Sequence, residues 1–217
     1  MSETVDVITL YEKIGTRSNR ARWVLQEGGF EADYKELDFM KGEQKKPEYL
    51  KIHPLGRVPA FTVGNRSFFE SAAIVMHFAD LSVGLSPPNG SEERMEYYQW
   101  IVFGPAEIDA KLSTLTVHTL FFPPEQRDKN AARVALEGWT NVAEVINNVL
   151  SDRDYILGHE FSAADIVIGH DVAWAKMLNV LDDFPDLVSY LNRLEQRSAF
   201  KSVYGEKVRV YPDPYAK

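Results

Sequence analysis

The chain of 217 residues contains no cysteine. That excludes disulfides from its fold, and it excludes a protein thiol as nucleophile or redox centre. A broad basic patch is also missing. The formal net charge is -8, so nucleic acid and anionic membrane surfaces are poor partners. No apolar run is long enough to span a bilayer, and the N-terminus Met1-Ser2-Glu3-Thr4-Val5-Asp6 carries acids where a secretory signal needs an apolar stretch. A soluble, cytoplasmic protein is expected. Internal repeats, low-complexity tracts, phosphate loops and dinucleotide fingerprints are absent. The histidines His53, His77, His118, His159 and His170 form no pair at metal-ligand spacing with a third ligand nearby, so no metal is expected. His170-Asp171, within an apolar helix, reads as a satisfied core pair.

What is present is a composition 45% apolar, enough for a sizeable core. The first 82 residues alternate strand and helix signals. Val5 to Leu10 and Ala32 to Asp38 read as strands, with a helix from Ser18 to Glu27 between them stopped by Gly28-Gly29. A short helix over Pro47 to Ile52 follows. Val58 to Val63 and Ser67 to Phe69 flank Gly64-Asn65, a hairpin signal, and Ser71 to Leu81 is helical. Residues 83–90 are rich in turn formers and read as a linker. From residue 91 to 217 strand signals vanish. Helices are expected from Ser91, after Phe122-Pro123-Pro124 to about Ser151, from Ser162 to Leu178 and from Pro185 to Arg197. The third is apolar around most of its surface and belongs inside a bundle. An α/β domain over 1–82 and an all-α domain over 91–217 result.

Two short segments carry chemistry. In Val58-Pro59-Ala60-Phe61 the proline removes a ladder donor from an apolar strand pattern. Either Val58-Pro59 is a cis bond in a turn, leaving the Val58 backbone open to an extended peptide ligand, or an edge strand begins at a trans proline. In Glu70-Ser71-Ala72-Ala73-Ile74, Ser71 opens a helix. Its hydroxyl and the first-turn N–H groups suit a carboxylate, and Glu70 suits an ammonium; ordinary helix capping is the alternative.

Together, His53-Pro54-Leu55-Gly56-Arg57-Val58-Pro59 and Glu70-Ser71-Ala72-Ala73-Ile74 resemble the signature of the soluble glutathione transferases, with His53 where an asparagine is usual. Phe161-Ser162-Ala163-Ala164-Asp165-Ile166 resembles that family's helical-domain capping box, a folding device. The resemblance spans the chain and is nearest the theta-like, serine or threonine type. It implies a thioredoxin-like domain, a helical-bundle domain and a homodimer. It implies glutathione as co-substrate, a detoxifying transfer to a small hydrophobic electrophile and no metal. Peroxide or disulfide reduction, and a non-catalytic module, are the alternatives. By the same resemblance Val58 pairs with the cysteinyl backbone of glutathione, Glu70 and Ser71 hold its γ-glutamyl end, and Gln44 and Arg57 meet its glycine end. The second substrate is expected against the first helix of the bundle, with Phe103, Ile108 and Leu112 as candidates; plain bundle core is the alternative for all three.

A thiol of ordinary pKa is a few per cent thiolate at neutral pH, so a hydroxyl donor and a helix N-terminus near the sulfur would help. The loop Tyr11-Glu12-Lys13-Ile14-Gly15-Thr16-Arg17-Ser18-Asn19-Arg20 offers three hydroxyls. Thr16 stands where theta-like members carry their serine and ranks first. Ser18, an alternative helix cap, ranks second. Tyr11, at the position of the tyrosine-type classes, ranks third.

Overall fold

A computed structural model describes residues 7–211. The part of the first expected strand at Val5 and Asp6 lies outside them. Strand β1 (Ile8–Glu12) pairs parallel with β2 (Ala32–Glu36) and antiparallel with β3 (Ala60–Val63), which pairs with β4 (Arg66–Phe69). The mixed sheet runs β2-β1-β3-β4. Helices α1 (Ser18–Glu27) and α3 (Ser71–Asp80) pack together and bury Ala21, Val24 and Leu25 with Ile74, Val75 and Phe78; the single-turn α2 (Pro47–Leu50) precedes β3. This is the thioredoxin-like arrangement, joined to a helical domain.

The helix expected from Ser91 is broken twice. Helix α4 (Glu92–Phe103) passes through a π-turn at Gly104–Ile108 into α5 (Asp109–Thr116), and a second π-turn spans Val117–Phe121. Pro105 has no N–H to return to the helix ladder, so the hydrogen bonds shift register at that point. Gly104 permits the close approach of this kink to the bundle, because a Cβ there would lie 2.7 Å from Val167 Cγ1.

Helix α6 (Lys129–Val149) starts at Asp128, whose carboxylate accepts from the N–H groups of Asn130 and Ala131 at 2.8 and 3.1 Å. Helix α7 (Ala163–Met177) is buried almost all round, as its sequence implied. Its capping box is present: Ser162 N–H donates to Asp165 Oδ2 at 2.8 Å, and Ser162 Oγ accepts from Ala164 N–H at 3.2 Å. Asp165 also accepts from Ile156 N–H and the Tyr190 hydroxyl, which ties the preceding loop and α8 (Pro185–Leu194) to α7. A further helix, α9 (Ser198–Tyr204), was not legible in the sequence. It lays Phe200 and Tyr204 against Trp23 of α1, with ring centroids 5.0 and 6.1 Å apart.

The two domains are also joined by charge. Arg20 of α1 is fully buried and donates to Asp109 of α5 at 2.8 Å and to Asp171 of α7. Among the described residues no helix is long and apolar enough to cross a membrane.

Candidate functional site

The loop from β1 to α1 is tied by its own side chains. Thr16 Oγ1 donates to Lys13 O at 2.7 Å and accepts from Ser18 N–H at 3.2 Å, so Thr16 closes the turn into α1. Ser18 Oγ accepts from Lys13 N–H at 3.2 Å and is completely buried. Thr16 is half-buried and faces a cavity of about 370 Å³ between the domains. Ser18 and Tyr11 do not line that cavity. Tyr11, in β1, packs on Tyr49 with centroids 5.6 Å apart, against the small cluster of Leu37, Tyr49 and Ala60.

Beside this cavity lies a second one of about 310 Å³, and Arg17, Arg57, Val58 and Ser113 line both. Its walls include Val58, Glu70 and Ser71. The Val58–Pro59 peptide is cis, and the loop before it is held by the Tyr49 hydroxyl donating to Arg57 O at 2.6 Å. Val58 stands just outside β3, and its N–H and C=O enter no backbone hydrogen bond among the described residues. His53 fills the usual asparagine's place with an equivalent acceptor: its Nδ1 accepts from Leu55 N–H at 3.3 Å, while its ring stacks on Phe69.

Glu70 has φ 77° and ψ 109°, a conformation that costs a non-glycine residue about 1–3 kcal/mol. The strain turns the chain so that Glu70 stays exposed while Ser71 is buried at the first turn of α3. No side chain caps this helix, so the capping alternative for Ser71 does not hold. Instead the Ser71 hydroxyl accepts from the Arg20 guanidinium at 3.3 Å. Ser71 lines the smaller cavity, and the first-turn N–H groups of α3, which have no partner within the helix, suit an anion there.

Burial would raise Asp109, but Arg20, and then Arg17 at 3.2 Å, hold it below the usual carboxylate range. Burial pushes Asp171 up despite Arg20, and the Asp109 charge adds to the rise. The positive charge of Arg20 is thus shared between a committed anion and a reluctant one.

The cavity's other walls differ from the expected ones. Ile108 and Leu112 are fully buried in the main core, and Phe103 packs on Trp100 at 5.0 Å. The cavity face of the same helix is Ser113, Thr116, Val117, Leu120 and Phe121. Gln44 lines the cavity with Lys45, near Gly56 and Arg57. Helix α7 and the C-terminal segment add His170, Trp174, Met177, Leu178, Tyr204 and Tyr211. Arg17, Lys45, Asn19 and His170 are polar lining residues that the sequence reading left out. Arg17 and Asn19 flank its own candidates in the loop, a signal that was available.

His170 and Asp171 do not form the pair expected of them. Successive helix residues point about 100° apart, so Asp171 meets Arg20 while His170 Nδ1 meets the Tyr204 hydroxyl at 2.7 Å. Burial, and then the Arg20 charge, hold the His170 imidazole well below its ordinary range; Asp109 opposes this and Arg17 adds to it. On unfolding, the ring regains a pKa near 6.5. The unfolded chain therefore takes up a proton that the folded chain refuses. This contribution is fully present above about pH 6.5 and is lost below it, by up to about 1.4 kcal/mol per pH unit. Thermal unfolding at about pH 7 and about pH 5.5 should show a larger acid loss in wild type than in His170→Gln. Equal losses would show that another group carries the effect.

The glutathione S-transferase N-terminal domain model matches residues 6–80 and the C-terminal domain model matches residues 111–198. Glutathione S-transferase F9 of Arabidopsis thaliana is 30% identical over 168 residues, covering 74% of this chain and 77% of that protein. The chain belongs to the glutathione S-transferase family. Elongation factor 1-gamma of Prunus avium is also 30% identical, over 194 residues, 83% of this chain but 44% of that longer protein. Among solved structures, the glutathione transferase URE2P6 of Phanerochaete chrysosporium in complex with oxidized glutathione aligns with a TM-score of 0.85 and 26% identity, over 95% of this chain and 98% of that one.

Proposed function

We propose that this chain binds glutathione across the two adjacent cavities and directs its thiolate at a small apolar electrophile. The observation that carries this reading is adjacency: a cleft walled by Val58, Glu70 and Ser71 shares Arg17, Arg57, Val58 and Ser113 with a largely apolar cavity that Thr16 lines. In this reading Glu70 meets the γ-glutamyl ammonium, Ser71 and the α3 N-terminus meet its carboxylate, and the Val58 backbone pairs with the cysteinyl residue. Gln44, Arg57 and Lys45 suit the glycine carboxylate. Thr16 then lies at the junction, where the sulfur would face the apolar space. The second substrate takes the face formed by Thr116, Val117, Leu120 and Trp174. A homodimer and a cytoplasmic location accord with this reading.

To reach the sulfur, the Thr16 hydroxyl must turn away from Lys13 O. Thr16→Val keeps the shape and removes the donor. The bound thiol should then titrate at higher pH, and conjugation at neutral pH should fall about tenfold or more, with glutathione affinity nearly unchanged. If Tyr11→Phe abolishes the ultraviolet thiolate band while Thr16→Val leaves it, the sulfur is activated by tyrosine.

The elongation-factor likeness favours a second reading, a non-catalytic assembly module. Retention on glutathione-agarose, with conjugation of a chlorodinitrobenzene, supports the enzyme; absence of both supports the module. Turnover of a hydroperoxide or a mixed disulfide without conjugation would shift the reading to glutathione-dependent reduction.

A further inference from the structure

On the helical wall of the cavity, Trp174 and Thr116 satisfy each other and the backbone. Trp174 Nε1–H donates to Thr116 Oγ1 at 2.9 Å, and the Thr116 hydroxyl donates to Leu112 O at 2.7 Å. Two cavity-lining residues hold a buried side-chain atom with no partner among the described residues, Gln44 Oε1 and His170 Nε2; both atoms are sealed from water, so a ligand meets either one only as the side chain or its neighbours shift. His170 is only 5% exposed, so the unmet valence is held away from bulk water, where it is most costly.

The network fixes which valence is open. Asn19 Oδ1 accepts from Gly15 N–H at 3.1 Å, and the Asn19 side chain neighbours the Tyr204 oxygen. Among the described residues the Tyr204 hydroxyl meets one acceptor, His170 Nδ1, at 2.7 Å. The Tyr204 proton has no other acceptor among the described residues, so it donates and Nδ1 accepts. A neutral imidazole that accepts at Nδ1 carries its proton on Nε2.

We infer that His170 Nε2–H is a specificity-determining donor that selects apolar ligands bearing one acceptor oxygen, the ketone and enone class, over hydrocarbons and halides of similar shape. The reasoning is that of any site built around a hydrogen bond: a ligand without the acceptor leaves the buried donor unpaired, and that loss discriminates more strongly than shape does. Tyr204 is the positioning residue, since it sets the tautomer.

As a statement about conjugation, the inference rests on the function proposed above. With an enone, the glutathione sulfur forms a C–S bond to the β-carbon, and the C=C π pair shifts to leave an enolate. Nε2–H donates to the enolate oxygen as its charge grows, and water protonates the α-carbon.

The test separates this inference from that function by omitting glutathione. Benzylacetone and butylbenzene, a ketone and a hydrocarbon of like size, are titrated into wild type, His170→Phe and His170→Gln, with tryptophan fluorescence as readout. The ratio of their dissociation constants should move against the ketone by about tenfold or more in His170→Phe, and by about threefold or less in His170→Gln, which retains an amide donor. An unchanged ratio in His170→Phe overturns the inference. Nitrogen-15 NMR of histidine-labelled wild type needs no variant. It should show a neutral, Nε2-protonated His170 whose resonance moves with benzylacetone more than with butylbenzene. A proton on Nδ1, or equal response to both ligands, overturns the inference. Failure of wild type to bind glutathione would sink the proposed function and leave these results standing.

Discussion

Replacing Arg20 with methionine should lower the unfolding free energy by about 3–5 kcal/mol, because it strips the partner from two carboxylates inside the protein. Arg20 is completely buried, and so is Asp171; the Asp109 side chain is 11% exposed. Methionine matches the length of the stem and loses little packing. The damage is therefore electrostatic and falls at the joint between the domains, since Arg20 comes from α1 and its partners from α5 and α7. For a chain of this size the melting temperature should fall by roughly 6–20 °C. The double variant Arg20→Met, Asp171→Asn should recover part of the loss, because it removes the more deeply buried of the two stranded acids. A single variant that melts within about 2 °C of wild type would show that the cluster contributes little.

Ser71→Ala should weaken glutathione binding by about 1.5–3 kcal/mol, roughly ten- to 150-fold in dissociation constant, by removing a hydrogen bond to a charged group. The hydroxyl accepts from Arg20, which leaves its own proton free to donate. Alanine removes the donor from the cleft and leaves one of Arg20's N–H groups without that acceptor, while the bonds from Arg20 to Asp109 and Asp171 remain. Stability should change far less than in the Arg20 variant. Titration calorimetry reads the affinity, and thermal unfolding checks the fold. Unchanged affinity would move the γ-glutamyl end elsewhere.

Much of this molecule was legible because local chemistry dictates it. Gly64-Asn65 announces the β3–β4 hairpin, and Ser162 with Asp165 announces the start of α7. The cavity wall was harder to read. Ile108, Leu112 and Leu115 repeat at helical spacing, and hydrophobicity selects them, yet that face builds the core. One residue further on, about 100° around the helix, Ser113, Thr116, Val117 and Leu120 face the cavity, and two of the four are hydroxylated. A pocket meant to hold a ligand is less apolar than the core behind it, so the strongest hydrophobic pattern points away from it. Arg20 and His170 were illegible for a different reason. Their partners lie 89 to 151 residues away for the two Arg20 carboxylates, and 34 for the Tyr204 hydroxyl. No local pattern encodes such pairs. The short helix α9, seven residues long, has too few turns to show a period, although it supplies that hydroxyl.

The decisive property of this site is whether it activates a bound thiol. Glutathione added in saturating amounts should give a difference absorbance of thiolate in the ultraviolet that titrates about one pH unit or more below the free thiol's value near 8.5. Saturable binding with that lowered midpoint is the predicted result. A midpoint at the free value, or no saturable signal at all, would contradict the account.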